Sequence, residues 1–174
     1  MTKILIISGS PRSNGKTQVL MKYIFEYVKQ KNSDTKLVNL SDGGIDYYDG
    51  TNDYSDATKQ AAKDITEADV WLVGTPIYNS FFSAALKNLF EYIDYKKTEG
   101  KTAGLVILAS SNSGFTDVQT LLTQLMSYFN VITNPRAVFV TANTIVNDQI
   151  IEPEVKLRLE ALVDQTLDLA SKIH

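Results

Sequence analysis

The segment Ser8-Gly9-Ser10-Pro11-Arg12-Ser13-Asn14-Gly15-Lys16-Thr17 combines small residues, hydroxyls and two cations. Between a strand and a helix N-terminus, such residues make an anion site from free backbone N–H groups, the helix dipole and hydroxyl donors. Arg12 and Lys16 add positive charge. Gly15-Lys16-Thr17 ends like a nucleotide P-loop, but G-x-x-x-x-G-K-[ST] requires glycine where this chain has Ser10, and Gly9 comes one residue early. The apolar run Leu72-Val73-Gly74-Thr75 also lacks the terminal Asp that would hold magnesium. The dinucleotide pattern G-x-G-x-x-G does not fit either. A phosphate monoester is the better guest.

Two further segments carry chemistry. Thr75-Pro76-Ile77-Tyr78-Asn79-Ser80-Phe81-Phe82-Ser83 sets an aromatic cluster beside amide and hydroxyl groups. That mixture suits a flat heterocycle, offering stacking area and edge hydrogen bonds, although loop aromatics also serve as core or interface. Ser110-Ser111-Asn112-Ser113-Gly114-Phe115 is small and polar ahead of a helix, so backbone and side chains there can approach a ligand closely. A plain capped strand–helix connection is the alternative reading of this segment.

Composition narrows the chemistry. The chain has 174 residues, no cysteine, one histidine (His174, the last residue) and a formal net charge of −3. Without cysteine there are no disulfides, no thiolate metal sites and no thiol catalysis. A terminal histidine is a poor candidate for a buried catalytic imidazole. The mild negative charge argues against nucleic acid as a partner, because such binding needs a basic stripe. The apolar runs Ile4–Ile7 and Ala103–Ala109 fall far short of the roughly 20 residues of a membrane span. No secretory leader is visible, and a soluble cytoplasmic protein is expected.

The elements that would position these segments alternate. Ile4–Ser8, Lys36–Leu40, Asp69–Gly74, Ala103–Ala109 and Ala137–Thr141 read as strands, several of them continuous apolar runs of the kind buried on both faces. A helix of about 15 residues is expected from Gly15, with Val19, Leu20, Tyr23, Ile24, Tyr27 and Val28 at helical spacing. Further helices are marked by Ala61, Ala62, Ile65 and Ala68, by Leu86, Leu89, Phe90 and Ile93, and by Val118, Leu121, Leu122, Leu125, Met126 and Phe129. Pro153 opens a last helix with Val155, Leu159, Leu162, Val163, Thr166, Ala170 and Ile173 on one face. Ser41–Ser55 lacks periodicity and reads as a long surface loop, and Tyr95–Lys101 as a polar link.

Strands alternating with helices imply βαβ units and a parallel sheet covered on both faces. Residues 1–174 are therefore expected to form a single α/β domain, a doubly wound five-stranded parallel sheet in the flavodoxin-like order 2-1-3-4-5. Ligands in such sheets sit at the carboxyl ends of the strands. The three segments above all fall there.

Ser8-Gly9-Ser10-Pro11-Arg12 with Thr17, followed by Thr75-Pro76-Ile77-Tyr78-Asn79-Ser80 and Ala84-Ala85-Leu86-Lys87-Asn88, resembles the NADPH-dependent FMN reductase family. Within it the chain looks closest to the small azobenzene, quinone and flavin reductases, over nearly its whole length. The resemblance implies FMN as cofactor, NADPH or NADH as hydride donor, and a quinone, azo compound or flavin as small-molecule acceptor. It implies that Ser10, Arg12, Lys16 and Thr17 hold the FMN phosphate, and that Pro76, Ile77, Tyr78 and Asn79, with Ser80 near, line the isoalloxazine ring. Ser111, Asn112 and Gly114 fall where the family's third loop meets the pyrimidine edge. That loop has one glycine where relatives often have several, and Ile77 stands where many have Glu. No catalytic side chain is assigned, since the hard chemistry belongs to the cofactor. A flavodoxin-like electron carrier remains the alternative, although many such carriers are far more acidic.

A second stripe, Phe81, Ala85, Asn88, Tyr92 and Tyr95, is spaced four and three residues apart beside the ring segment. Such spacing marks a helix seam, and a homodimer or homotetramer built on it is expected. The family's dimers and tetramers point the same way.

Overall fold

The computed structural model describes residues 2–51 and 53–173, so His174, the single histidine, lies outside the described residues. The chain runs β1 (Ile4–Ser8), α1 (Lys16–Lys29), β2 (Thr35–Asn39), α2 (Asp56–Glu67), β3 (Val70–Tyr78), β4 (Phe81–Phe82) and α3 (Ala84–Phe90). It continues with β5 (Thr102–Ala109), α4 (Phe115–Tyr128), β6 (Ile132–Thr133), β7 (Val138–Thr141), β8 (Ile145–Val146), β9 (Gln149–Ile150) and α5 (Pro153–Ile173).

β2, β1, β3 and β5 pair in parallel in that order. The fifth position is shared: β6 pairs with the start of β5 and β7 with its end. Pro135, between the two pieces, has no N–H to continue a ladder. The five-position order 2-1-3-4-5 is therefore present, with its last strand in two parts.

Alternation along the strands divides the core into two layers. Leu5 and Ile7 of β1, with Trp71 and Val73 of β3, pack towards α2, α3 and α4. Ile4 and Ile6, with Val70 and Leu72, pack towards α1 and α5. The buried Trp71 satisfies its indole N–H on the Ile65 carbonyl at 2.9 Å. Close approach of α1 to β3 requires Gly74, where a Cβ would lie 2.3 Å from Met21 Sδ.

Four local expectations need correction. β3 continues past Gly74 to Tyr78, because β5 pairs with it as far as Pro76↔Leu108 and β4 then folds back on Ile77 and Tyr78. Asn79 and Ser80, both at positive φ (49° and 64°), make the tight turn of that hairpin. The helix after it is short and ends at Phe90, so Tyr92 and Tyr95 do not continue a stripe along it. Between β7 and α5 the chain adds a small antiparallel hairpin, β8–β9, turned by Asn147 and Asp148 at positive φ. In the last helix Ile173 is exposed, whereas the other six residues of its expected face are buried.

Candidate functional site

The end of β1 leads into a loop whose shape is set by contacts distant in sequence. Gly9 N–H donates to the Gly74 carbonyl at 2.7 Å, and a Cβ on Gly9 would strike that same oxygen. Ser10, almost fully buried, accepts from Arg12 N–H through Oγ at 3.3 Å and faces the Tyr78 hydroxyl at 3.4 Å. Gly15 packs on the same hydroxyl, since a Cβ there would lie 2.9 Å from Ser10 Oγ.

Gly15 is also the N-cap of α1. It supplies no side-chain cap, and the first helical turn holds no acidic residue. The leading amides of a helix have no intrahelical acceptor. Here they open, with Thr17 and Lys16, onto a cleft of about 520 Å³. That volume falls within the roughly 300–1,000 Å³ of small-molecule sites.

The cleft is lined by Ser10, Arg12, Ser13, Asn14, Gly15, Lys16 and Thr17 at one end. Pro76, Ile77, Tyr78, Leu108, Ala109, Ser110 and Ala142 form the remainder. None of these residues is a carboxylate. Lys16 Nζ donates to the Ala142 carbonyl at 2.5 Å, bridging from α1 to the segment after β7. The Arg12 guanidinium lies over the Tyr78 ring, 5.1 Å from its centroid, so the cationic and aromatic ends meet.

The structure thus brings Ser10, Arg12, Lys16, Thr17, Pro76, Ile77 and Tyr78 around one cleft. It places the other expected residues differently. Asn79, in the turn of the hairpin, lines a second cavity, and Ser80 shares that turn. Ser111 pairs its hydroxyl with Ser113 at 2.9 Å, while Asn112 borders a separate cavity with Phe115 and Arg158. The reason is the stretch between Ala109 and the cap of α4, which carries the chain away from the cleft after Ser110. Gly114, that cap, adopts φ 80° and sits behind Ile77, its missing Cβ 3.6 Å from Ile77 Cδ1. Sequence reasoning missed Ala142. The position of the last strand's carboxyl end was the available signal.

Tyr92 requires a further correction. Its hydroxyl donates to the Asp46 carbonyl at 3.0 Å, and its ring meets Tyr48 and Tyr54 edge-on at 5.3 and 5.0 Å. Asn88 is taken up by the same loop, donating to Asp46 O and accepting from Tyr48 N–H. Two members of the expected interchain stripe are therefore covered by the chain's own 44–54 segment. Of the others, Phe81 and Tyr95 are exposed.

The donor set suits the proposed guest. An uncapped helix start, two cations and several hydroxyls at one end fit a phosphate, and the apolar remainder fits a flat ring. The sequence profile of the family described as NADPH-dependent FMN reductase matches residues 2–145. The chain belongs to this family. Among curated relatives, an NAD(P)H-dependent FAD/FMN reductase of Geobacillus thermodenitrificans is 27% identical over 165 residues, covering 92% of this chain and 89% of that protein. An FMN-dependent NADPH-azoreductase of Staphylococcus aureus is 32% identical over 118 residues, 64% of this chain and 61% of that enzyme. Among solved structures, an NADH:FMN oxidoreductase in its apo form superposes with a TM-score of 0.79 at 22% identity, covering 95% of this chain and 88% of that one. The flavoenzyme NAD(P)H:(acceptor) oxidoreductase of Paracoccus denitrificans also gives 0.79, at 19% identity, over 99% and 98%. These two likenesses establish a shared flavodoxin-like fold.

Proposed function

We propose that the cleft at the carboxyl ends of β1, β3, β5 and β7 is the FMN site of an FMN-dependent NAD(P)H oxidoreductase. The observation that carries the assignment is the start of α1: uncapped, free of carboxylates and flanked by Arg12 and Lys16 at one end of a cleft whose other end is apolar. All 174 residues belong to this one FMN-binding domain.

In this reading Ser10, Arg12, Lys16 and Thr17 hold the phosphate, and Pro76, Ile77 and Tyr78 flank the ring. Asn79 and Ser80 are at the hairpin tip beside it. Ser110, on the cleft, takes the pyrimidine edge, whereas Ser111, Asn112 and Gly114, the residues first expected there, follow it on the way to α4. FMN held there would supply the redox chemistry between the nicotinamide hydride and a two-electron acceptor. The chain's own contribution is binding, orientation and the exclusion of water. The net reaction is NAD(P)H + H⁺ + acceptor → NAD(P)⁺ + reduced acceptor, with the cytoplasm as its setting.

The decisive experiment is titration of purified protein with FMN, followed by NADPH and a quinone. The expected outcome is a bound-flavin spectrum and NADPH oxidation that depends on FMN. Failure to bind FMN overturns the assignment. FMN binding without NADPH oxidation indicates an electron carrier instead.

Association of two copies is supported by the exposed aromatic residues Phe81 and Tyr95, the latter packed on exposed Tyr128 at 5.6 Å. Light scattering tests this. Tyr95→Lys is the cleaner disrupting variant, because Tyr92→Lys would also release the chain's own loop. A monomer mass for the FMN-bound wild type would remove the proposal.

A further inference from the structure

Position 14 needs a residue that tolerates a left-handed turn, and position 15 needs one without a Cβ. Asn14 adopts φ 57° just ahead of α1. A Cβ on Gly15 would lie 2.9 Å from Ser10 Oγ and 3.0 Å from the Arg12 carbonyl oxygen. Asparagine enters the left-handed region more readily than most side chains, and glycine alone leaves the second space open. The loop bordering the cleft is thereby built on an Asn-Gly pair, the single one in the chain. That dipeptide is also poorly protected against cyclisation, because no side chain on its second residue shields the backbone nitrogen. Resting on the FMN reading above for its second half, we infer that Asn14-Gly15 is a self-modifying site. In the FMN-free protein Asn14 converts to an aspartyl or isoaspartyl residue, and the carboxylate so formed shuts out the FMN phosphate.

The Gly15 backbone nitrogen bonds to Asn14 Cγ, the bond from Cγ to the side-chain NH₂ breaks, and ammonia departs with the Gly15 proton. Water then opens the cyclic imide at either carbonyl. The balance is asparagine + H₂O → aspartate or isoaspartate + NH₄⁺, with no oxidant or second enzyme involved.

Two features of the loop control the first step. The Asn14 side chain is exposed and, among the described residues, its amide has no hydrogen-bond partner, so it is free to rotate. The Gly15 nitrogen is held, its N–H donating to the Arg12 carbonyl at 3.1 Å. Attack requires this turn bond to open. A phosphate drawn to Arg12 and to the leading amides of α1 stabilises the closed turn, so FMN lowers the population that reacts.

The consequence for the cleft is electrostatic. Asn14 lines it together with Arg12 and Lys16, the two charged residues there. A carboxylate at position 14 cancels one of these charges, beside a first helical turn that holds no acidic residue, and repels a phosphate. The isoaspartyl product also lengthens the main chain by one carbon between Ser13 and Gly15, which displaces the amides of the loop.

The test incubates FMN-free and FMN-saturated protein in parallel in warm neutral buffer and follows position 14 by peptide mapping with mass spectrometry. Asn14 should convert ahead of Asn32, Asn79 and Asn112, each of which precedes serine. FMN should slow the conversion at least about threefold. Made directly, Asn14→Asp should weaken FMN binding about tenfold or more without lowering the urea midpoint, since an acidic group near a helix start favours the helix. Asn14→Gly suits the turn but cannot cyclise, so it should hold its own starting FMN affinity through the incubation that erodes the wild type's. Asn14 that stays intact while the same sequence in an unfolded peptide converts overturns the site. Equal conversion with and without FMN overturns the protection, and wild-type affinity in Asn14→Asp overturns the loss of cofactor. Fresh protein that takes up no FMN overturns the flavin reading, whereas the conversion, scored by mass alone, is judged independently of it.

Discussion

The Ser83 hydroxyl donates to the Gly9 carbonyl, so one fully buried side chain joins the end of β1 to the start of α3. The same oxygen caps α3 by accepting from Leu86 N–H at 3.1 Å. Gly9 N–H is bonded across to β3, so the loop from Ser10 to α1 leaves the sheet from an anchored residue. Ser83→Ala removes the cap and leaves the Gly9 carbonyl buried without its donor. It should cost about 1–3 kcal/mol of stability. Urea unfolding checks this, and FMN affinity should fall as well because the loop loses its anchor.

Thr17→Val retains the shape of the start of α1 but removes a hydroxyl donor. FMN titration should show a loss of about 1–3 kcal/mol in binding. Arg12→Ala should weaken FMN binding more at low salt than at high salt, because it removes charge as well as contacts. Both variants should unfold at wild-type urea concentrations. Wild-type FMN affinity in both would move the phosphate elsewhere.

Asp46 links the 44–54 segment to acid. Hydrogen bonds from Ser55 and then Thr58 hold its carboxyl below the usual carboxylate range. The unfolded chain therefore binds more protons over the interval between the folded value and the ordinary aspartate value of about 3.9. The contribution is fully present above that ordinary value and is lost as pH falls through the folded one. Near-ultraviolet circular dichroism of the Tyr48–Tyr54–Tyr92 cluster should show a step on this acid limb. Asp46→Asn should remove the step and loosen the cluster at neutral pH.

Lys101 gives a slope of the same sign at the alkaline end. It is buried at the start of β5, with Nζ donating to the Ala68 carbonyl at 2.7 Å. Burial pushes its pKa below the ordinary lysine value and Lys3 adds to this, whereas Asp69 opposes it. The unfolded state binds more protons between the lowered value and about 10.4, so this group makes the fold more stable as pH rises through that window. Lys101→Met should flatten the rise. Urea unfolding of both proteins from pH 7 to 10 measures the difference, since the remaining titrating groups are common to both.

The chain's local patterns determined the alternating elements and the chemistry of the first loop. Burial on both faces requires continuous apolar runs such as Ile4–Ile7, and burial on one face of a helix requires the spacing of Val118, Leu122 and Met126. Both are properties of neighbouring residues. The grouping of Ser10, Arg12, Lys16 and Thr17 at one end of a cleft was legible for the same reason, because these hydroxyls, cations and the helix start are nearly contiguous. Tertiary structure decided what depended on distant partners. Pairing with β5 drew Thr75 and Pro76 into β3, and the return of β4 added Ile77 and Tyr78 and fixed the Asn79–Ser80 turn. Ala142 joined the cleft because Lys16 reaches it across 126 positions of chain. Tyr92, in sequence part of an outward stripe, was taken by Asp46 from 46 positions away. The second cavity arises where Tyr47 and Tyr48, after β2, meet Tyr78 and Phe82 near the end of β3. No periodicity announces such meetings, because they depend on how separate elements dock, and each docking satisfies hydrogen bonds and apolar surface that the local chain leaves open.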